Sequence, residues 1–174
     1  MFNRVILIKI IDVIGYSGSG KTYFIRKLIT LLKIKLGYSV AVVKNVKHHQ
    51  IDKEGKDSYR FTESGASYSI IKNNNKMYGI FLQINEDNLE KIVTWVQQGP
   101  IQLDILLTEG FRTLNHPTIL CVSNLDEIKQ QLNKNVKLIS GVICSKNIST
   151  NTFSNLPILD IERNFFKFKD IFQI

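Results

Sequence analysis

The fold of this chain is decided by the stretch Gly15-Tyr16-Ser17-Gly18-Ser19-Gly20-Lys21-Thr22. It satisfies in full the phosphate-loop (P-loop) pattern G-x-x-x-x-G-K-[ST], in which glycines let successive backbone N–H groups turn toward a phosphate. In such a loop the lysine, here Lys21, reaches the β- and γ-phosphates, and the hydroxyl of Thr22 binds Mg²⁺. The stretch therefore predicts a nucleoside triphosphate site with these phosphate-binding residues: Gly15, Ser17, Gly18, Ser19, Gly20, Lys21 and Thr22.

The segments on either side of the P-loop supply the strand and the helix that the motif requires. Residues 5–14 are nearly all apolar and rich in β-branched side chains, as in a strand buried on both faces of a parallel sheet. Residues 22–36 predict a helix that ends at Gly37, and residues 39–43 predict a second strand. The predicted apolar stripe of this helix comprises Phe24, Ile25, Leu28, Leu31, Leu32 and Ile34.

The rest of the chain continues the alternation of strands and helices. Further strands are predicted at 67–71, 77–84, 104–108, 118–122 and 137–143, and further helices at 57–64, 86–98, 125–132 and 162–174. The polar cluster at 72–76 separates two strands and favours an antiparallel hairpin. The sequence thus predicts a three-layer α/β P-loop NTPase fold, with a mostly parallel sheet and an inserted β-hairpin, in a single domain over residues 1–174.

Composition limits the class of protein. The chain has 174 residues, of which 44% are hydrophobic and 22% charged, as in a globular domain. No apolar run approaches the roughly 20 residues that a membrane helix needs, so we expect a cytoplasmic protein without a membrane partner. The net charge of +8 implies attraction to anions such as nucleotides.

A second motif is the predicted buried strand that ends in Glu109-Gly110. A carboxylate at this edge of the sheet can hold Mg²⁺ directly or through water, and a following glycine lets its N–H approach a γ-phosphate. We therefore predict that Glu109 is a metal ligand and catalytic residue and that Gly110 binds phosphate. The alternative is an ordinary acidic residue at a strand end, facing solvent.

The polar segment at 44–58 is predicted to leave the carboxyl end of the second strand, where open α/β sheets bind ligands. Lys44, His48 and Lys56 are candidate anion contacts in this segment. The adjacent His48 and His49 would point to opposite faces of an extended chain, which disfavours a metal pair. Asp57 is a candidate catalytic residue, or only the cap of a short helix.

These segments together resemble the MobB family of molybdopterin-guanine dinucleotide biosynthesis proteins. The resemblance is carried by the P-loop, the run from Val46-Lys47-His48-His49 to Gly55-Lys56-Asp57-Ser58-Tyr59-Arg60, Ser64-Gly65-Ala66, and Leu107-Thr108-Glu109-Gly110-Phe111-Arg112. Residues 5–122 contain all of these matches.

The resemblance implies a homodimeric GTP-binding adapter with at most weak GTPase activity. It further implies Mg²⁺ as cofactor, molybdopterin or its guanine dinucleotide as ligand, and a partner guanylyltransferase that joins GMP to molybdopterin. For the dimer we predict contact through the hairpin at 67–84, because its apolar face and strand edges need covering. The hairpin could instead cover its own domain.

Two further hypotheses remain open. A small-molecule kinase would use Asp57 as base and Arg60 or Arg112 as a clamp, but no lid of clustered arginines follows. An ATPase that binds nucleic acid is disfavoured, because the lysines are dispersed and no nucleic-acid-reading motif occurs. Preference for GTP over ATP rests on the family resemblance, since the residues at 124–126 and 145–147 are only fragments of a base-recognition motif.

Overall fold

The structure is a computed structural model that describes residues 8–46, 49–75, 77–82, 89–146 and 150–174. The chain forms two compact units. We call residues 1–45 and 100–174 the sheet unit, and residues 46–99 the hairpin unit. The prediction of a single domain over residues 1–174 stays a prediction.

The order of the elements follows the predicted alternation. They are β1 (Lys9–Ile14), α1 (Lys21–Leu36), β2 (Val40–Lys44), α2 (Asp57–Glu63), β3 (Tyr68–Lys72), β4 (Tyr78–Leu82), α3 (Leu89–Gln97), β5 (Ile105–Glu109), β6 (Thr118–Cys121), α4 (Asp126–Gln131), β7 (Val136–Ser140), a 3₁₀ helix (Val142–Ser145), β8 (Thr152–Phe153), β9 (Leu156–Pro157) and α5 (Phe165–Phe172). Parts of three predicted elements, at residues 5–7, 83–84 and 86–88, lie outside the described residues.

The sheet unit is built on five strands in the order β2-β5-β1-β6-β7, and each neighbouring pair is parallel. β1 therefore lies at the centre, with β5 on one side and β6 on the other. Because parallel strands end at the same edge, the carboxyl ends of β1, β2 and β5 lie side by side. This confirms the predicted α/β P-loop fold.

Helix α1 covers one face of the sheet because its apolar side chains recur at helical spacing. Its buried residues pack in one core cluster with three phenylalanines of α5; the set is Phe24, Ile25, Leu28, Leu32, Phe165, Phe168 and Phe172. Gly37 ends the helix in the left-handed conformation, with its N–H donated to Lys33 at 3.0 Å. The placement of Ile34 in the stripe was wrong, since it is 76% exposed and lies about 200° around the helix from Leu32.

The third layer of the sheet unit includes α4. Ile128 of this helix is fully buried in a second core cluster with Ile14, Leu120 and Ile139, which alternate with the α1-facing residues along their strands. The predicted strand at 137–143 was wrong at its end, because β7 stops at Ser140 and the chain turns into a 3₁₀ helix. None of the described helices combines the length and the apolar character that a membrane crossing needs.

The hairpin unit contains α2, the predicted antiparallel hairpin β3–β4, and α3. Ile70 pairs with Ile80 and Tyr68 with Leu82, so these side chains share one face of the ribbon. On the other face, Ser69 is only 8% exposed, which shows that the hairpin packs by that side. The hairpin prediction is confirmed, and its remaining face is largely apolar and exposed.

Candidate nucleotide-binding site

Strand β1 delivers the P-loop to the carboxyl edge of the sheet, and glycine makes the turn possible. A Cβ atom at Gly15 would lie 2.2 Å from the carbonyl oxygen of Cys121, so only glycine fits there without moving β6. Gly18 and Gly20 have φ values of +77° and +91°, a conformation that residues with a Cβ atom rarely adopt. The chain then enters α1 at Lys21, so backbone N–H groups and the helix N-terminus face one concavity.

The turn that follows β7 supports the P-loop from behind. The N–H of Val142 donates to the Ser19 carbonyl oxygen at 3.1 Å, and a Cβ at Gly141 would lie 2.3 Å from that same oxygen. Ser19 is fully buried, and its hydroxyl has no hydrogen-bond partner in the described part of the chain. The sequence patterns did not predict this contact between the turn after β7 and the P-loop. A glycine directly after a buried strand could have indicated that another backbone segment approaches closely there.

Lys21 folds back over the loop that it belongs to. Its Nζ donates to the carbonyl oxygens of Gly15 at 3.0 Å and Tyr16 at 2.7 Å. Burial lowers the pKa of the Lys21 ammonium, and the Glu109 carboxylate opposes that shift. The Lys21 ammonium therefore lies at the opening of the P-loop, where it donates to two neutral carbonyl oxygens. A bound phosphate can replace these acceptors, because its charged oxygens form stronger hydrogen bonds with an ammonium group.

Glu109 joins the ends of three elements. The hydroxyl of Thr22 donates to Glu109 Oε1 at 3.1 Å, and Lys44 Nζ lies 3.1 Å from the same oxygen. Glu109 is only 6% exposed, whereas the Lys44 side chain is 49% exposed, so solvent is excluded from the carboxylate side of this ion pair only. The structure thus brings together Thr22, Glu109 and Lys44, and it places Lys44 in β2, whereas we had predicted it in the following loop.

The residues at this edge suit a phosphate-bound Mg²⁺. No described group of three His, Cys, Asp or Glu residues could hold a metal alone. Mg²⁺ commonly needs only one or two protein oxygens, because phosphates and water complete its shell. The Thr22 hydroxyl and the Glu109 carboxylate, already in contact, offer two such oxygens. The donor set therefore fits the predicted metal.

One predicted phosphate contact disagrees with the structure. The N–H of Gly110 donates to the carbonyl oxygen of Val13 at 3.1 Å, because the β1–β5 ladder continues one residue past Glu109. This N–H is therefore committed to the sheet. Gly110 still turns the chain away, with a φ of +87°.

The predicted residues of the 44–58 segment divide between the two units. Lys56 and Asp57 belong to the hairpin unit, where Lys56 is the N-cap residue of α2 and Asp57 its first residue. The alternative that Asp57 is only the helix cap was therefore wrong, and its predicted catalytic role stays a prediction. Asp52 holds the start of α2 instead, since it accepts a 2.9 Å hydrogen bond from the Ser58 hydroxyl. His48 lies outside the described residues.

The two fragments of a base-recognition motif are neighbours in space. Lys146 Nζ donates to the Ser123 carbonyl oxygen at 2.8 Å, which links the chain after β7 to the chain after β6. The Asn124 side chain accepts from the Glu127 N–H at 3.1 Å. The described residues of both fragments lie beyond strands that end on the P-loop edge of the sheet, and Asn147 lies outside the described residues.

Comparisons with known proteins match most of this chain. The family model described as MobB, molybdopterin guanine dinucleotide synthesis protein B, matches residues 10–145. A molybdopterin-guanine dinucleotide biosynthesis adapter protein of Haemophilus influenzae is 37% identical over 65% of this chain and 62% of its own length. The protein of the same name from Escherichia coli is 29% identical over 61% of each chain. The chain thus spans about three fifths of the length of these relatives.

Solved structures show the same fold. The crystal structure of Bacillus subtilis MobB superimposes with a TM-score of 0.70 and 21% identity, over 93% of this chain and 97% of that one. A MobB homologue from Bacillus stearothermophilus gives a TM-score of 0.64 and 18% identity, over 95% and 99% of the two chains. Both likenesses support the assignment of the fold.

Proposed function

The chain belongs to the MobB family, and from that premise we propose that it is a GTP-binding adapter in molybdopterin guanine dinucleotide synthesis. The proposed nucleotide is GTP with Mg²⁺. The proposed partners are molybdopterin or its guanine dinucleotide, and the guanylyltransferase that joins GMP to molybdopterin. We further propose that the chain acts in the cytoplasm.

The observation that supports the nucleotide site best is the convergence of Lys21, Thr22 and Glu109 at the end of β1. Lys21 and Thr22 lie at the N-terminus of α1 and Glu109 lies at the end of β5, and their side chains are within hydrogen-bond reach of one another or of the P-loop. A bound magnesium ion would neutralise phosphate charge there. The choice of guanine rests on the family and on the names of the relatives.

The same geometry favours slow hydrolysis over rapid turnover. A general base must accept a proton from the attacking water in a position close to the γ-phosphate. Glu109 accepts from Thr22 and pairs with Lys44, both through Oε1 at 3.1 Å. These contacts direct the carboxylate toward Thr22 and Lys44 and engage the oxygen that would otherwise accept the proton. We therefore propose binding, with at most weak GTPase activity, as the main role of the site.

The adapter role is tested by reconstitution. Molybdopterin, GTP, Mg²⁺ and the partner guanylyltransferase are combined with and without this chain, and formation of the guanine dinucleotide is followed. We expect a higher rate or yield with the chain present. Equal formation in both mixtures would refute the adapter role, and rapid phosphoryl transfer to a small acceptor would indicate a kinase instead.

Replacing Glu109 with glutamine tests the proposed metal contact. The change keeps the size of the side chain but removes its charge, so it weakens the metal contact and the pairing with Lys44. We expect the gain in GTP affinity that Mg²⁺ provides to fall about tenfold, whereas GDP binding without Mg²⁺ changes less than about twofold. Calorimetric titrations with and without Mg²⁺ measure both quantities.

Glu162 provides the matched control, because it is a surface carboxylate that pairs with Lys27 at 2.7 Å. Glu162→Gln should leave the Mg²⁺ dependence unchanged. An equal loss of GTP affinity with and without Mg²⁺ in Glu109→Gln would exclude a metal role for this carboxylate.

We also propose that the chain forms a two-fold dimer through the exposed face of the hairpin. Large apolar side chains on that face are 45–59% exposed: Tyr68, Ile70, Tyr78 and Ile80. The cross-strand pairs of the ribbon place them side by side in one apolar surface. Because such surfaces usually mark interfaces, a second copy of the chain is the proposed cover.

A charge at the centre of this face tests the dimer. Ile80→Asp should weaken dimerisation by at least about tenfold, since a buried, unpaired carboxylate is costly. Sedimentation equilibrium at micromolar concentration measures the effect, and circular dichroism verifies folding. Asn74→Asp, at the exposed hairpin turn, adds the same charge outside the face and should have no effect. A monomeric native chain, or a dimer indifferent to Ile80→Asp, would contradict the proposal.

A further inference from the structure

Arg112 lies beside the P-loop and is held there by two elements. It follows Glu109 by three residues, after the turn at Gly110. Its guanidinium carbon lies 5.3 Å from the centroid of the Tyr16 ring, and Tyr16 is the residue directly after the first glycine of the P-loop. This contact places a permanently charged guanidinium beside the P-loop, over the side chain of its second residue.

Helix α4 fixes both members of this cation–π pair. Arg112 Nη2 donates to Gln131 Oε1 at 2.7 Å, and the Tyr16 hydroxyl donates to Gln130 Oε1 at 3.2 Å. Gln131 is only 5% exposed, and its amide nitrogen is buried without a hydrogen-bond partner among the described residues. Two consecutive side chains of α4 thus connect this helix to the P-loop and to the segment after β5.

Three of the described cations lie around the cradle. Lys21 Nζ donates to the Tyr16 carbonyl oxygen at 2.7 Å, and the Arg112 guanidinium lies over the Tyr16 ring. Lys44 pairs with the Glu109 carboxylate at 3.1 Å. An anion with several charges, bound among these residues, would relieve the mutual repulsion.

We propose that Arg112 is a phosphate-contacting residue that distinguishes a nucleoside triphosphate from a diphosphate. In this role its guanidinium donates to oxygens of the terminal phosphate, from the side of the cradle where it now contacts Tyr16. This contact uses N–H groups of the Arg112 guanidinium, one of which now donates to Gln131. Binding of a terminal phosphate therefore changes the contact between Arg112 and α4. The proposal rests on the proposed nucleotide site, and it assigns the discrimination to one side chain.

The test compares two affinities in each variant. GDP and a non-hydrolysable GTP analogue are titrated, both with Mg²⁺, into the native chain, Arg112→Ala and Arg112→Lys. Loss of a charge-assisted contact should weaken the triphosphate analogue about 10- to 100-fold in Arg112→Ala, with GDP changed less than about twofold. Arg112→Lys should recover part of the loss, because it keeps the charge without the planar fork.

Arg163→Ala, an exposed arginine elsewhere in the sheet unit, should leave both affinities unchanged. A merely structural role for Arg112 predicts that Arg112→Ala loses affinity for the two nucleotides equally, together with a lower melting temperature. That result would overturn this proposal and leave the nucleotide site intact. A native chain that binds neither nucleotide would refute the proposed function, and this proposal with it.

Discussion

Lys21→Ala is expected to weaken GTP binding by at least about 100-fold while leaving the fold intact. The P-loop itself is formed by backbone contacts, including the hydrogen bond from Val142 to Ser19, and these do not involve the lysine side chain. Lys21 contributes a cation at the mouth of the loop, where it now contacts the carbonyl oxygens of Gly15 and Tyr16. Its removal takes away the charge that triphosphate binding requires.

The measurement is a calorimetric or fluorescence titration with GTP and Mg²⁺, combined with a melting curve. Lys33→Ala is the matched control, because Lys33 lies on the same helix and is exposed. It should bind GTP as the native chain does. If Lys21→Ala retained native affinity, the phosphate-binding role of residues 15–22 would be wrong.

Gly141→Ala is expected to cause the largest loss of stability of any single change considered for this chain. Gly141 has φ +98° and ψ −154°, a region that is essentially restricted to glycine. A Cβ there would lie 2.3 Å from the Ser19 carbonyl oxygen and 2.9 Å from the backbone nitrogen of Val122. Because both neighbours are backbone atoms, the clash can be relieved only by moving the P-loop or β6.

The expected cost is about 3 kcal/mol of unfolding free energy, from backbone strain plus overpacking. GTP affinity should fall as well, since Ser19 belongs to the P-loop. Chemical denaturation measures the first effect and titration the second. Gly37→Ala is the control, because Gly37 is also left-handed but has open space around it, so only about 1 kcal/mol should be lost. A Gly141→Ala protein as stable as Gly37→Ala would show that the turn after β7 does not support the P-loop.

The elements that could be predicted from the sequence are those with a strong local signal. The P-loop pattern fixes a strand before it and a helix after it, and α1 ends at Gly37 as its left-handed conformation requires. The hairpin β3–β4 follows from two β-rich runs joined by a polar turn. In each case a few neighbouring residues determine the conformation, so no long-range information was needed.

The elements that could not be predicted depend on contacts between distant segments. The apolar run through Val142 and Ile143 favours a continued strand, but the close approach of Gly141 to Ser19 turns the chain instead. Ile34, in contrast, could have been excluded from the apolar stripe by helical spacing alone, because it lies about 200° around α1 from Leu32. The short pair β8–β9 turns through Ser154 and Asn155, both with positive φ, and no hairpin was predicted there.

The sequence indicated which residues belong to the candidate site, but it did not indicate most of the contacts between them. Parallel strands bring their carboxyl ends to one edge, so Glu109 could be expected near Thr22 from the fold alone. The pairing of Glu109 with Lys44 and the contact of Arg112 with Tyr16 depend on side-chain positions that no sequence pattern specifies. The use of the Gly110 N–H in the sheet depends on where the β1–β5 ladder ends.

The central claim, a GTP site on the P-loop of this chain, is tested most directly by competition between nucleotides. The purified chain is titrated with GTP in the presence of Mg²⁺ and increasing concentrations of ATP, and the two dissociation constants are compared. We expect saturable binding of GTP with a dissociation constant at least about tenfold lower than that of ATP, which is a difference of about 1.4 kcal/mol in binding free energy. Equal affinity for the two nucleotides, tighter binding of ATP, or no binding of either would contradict it.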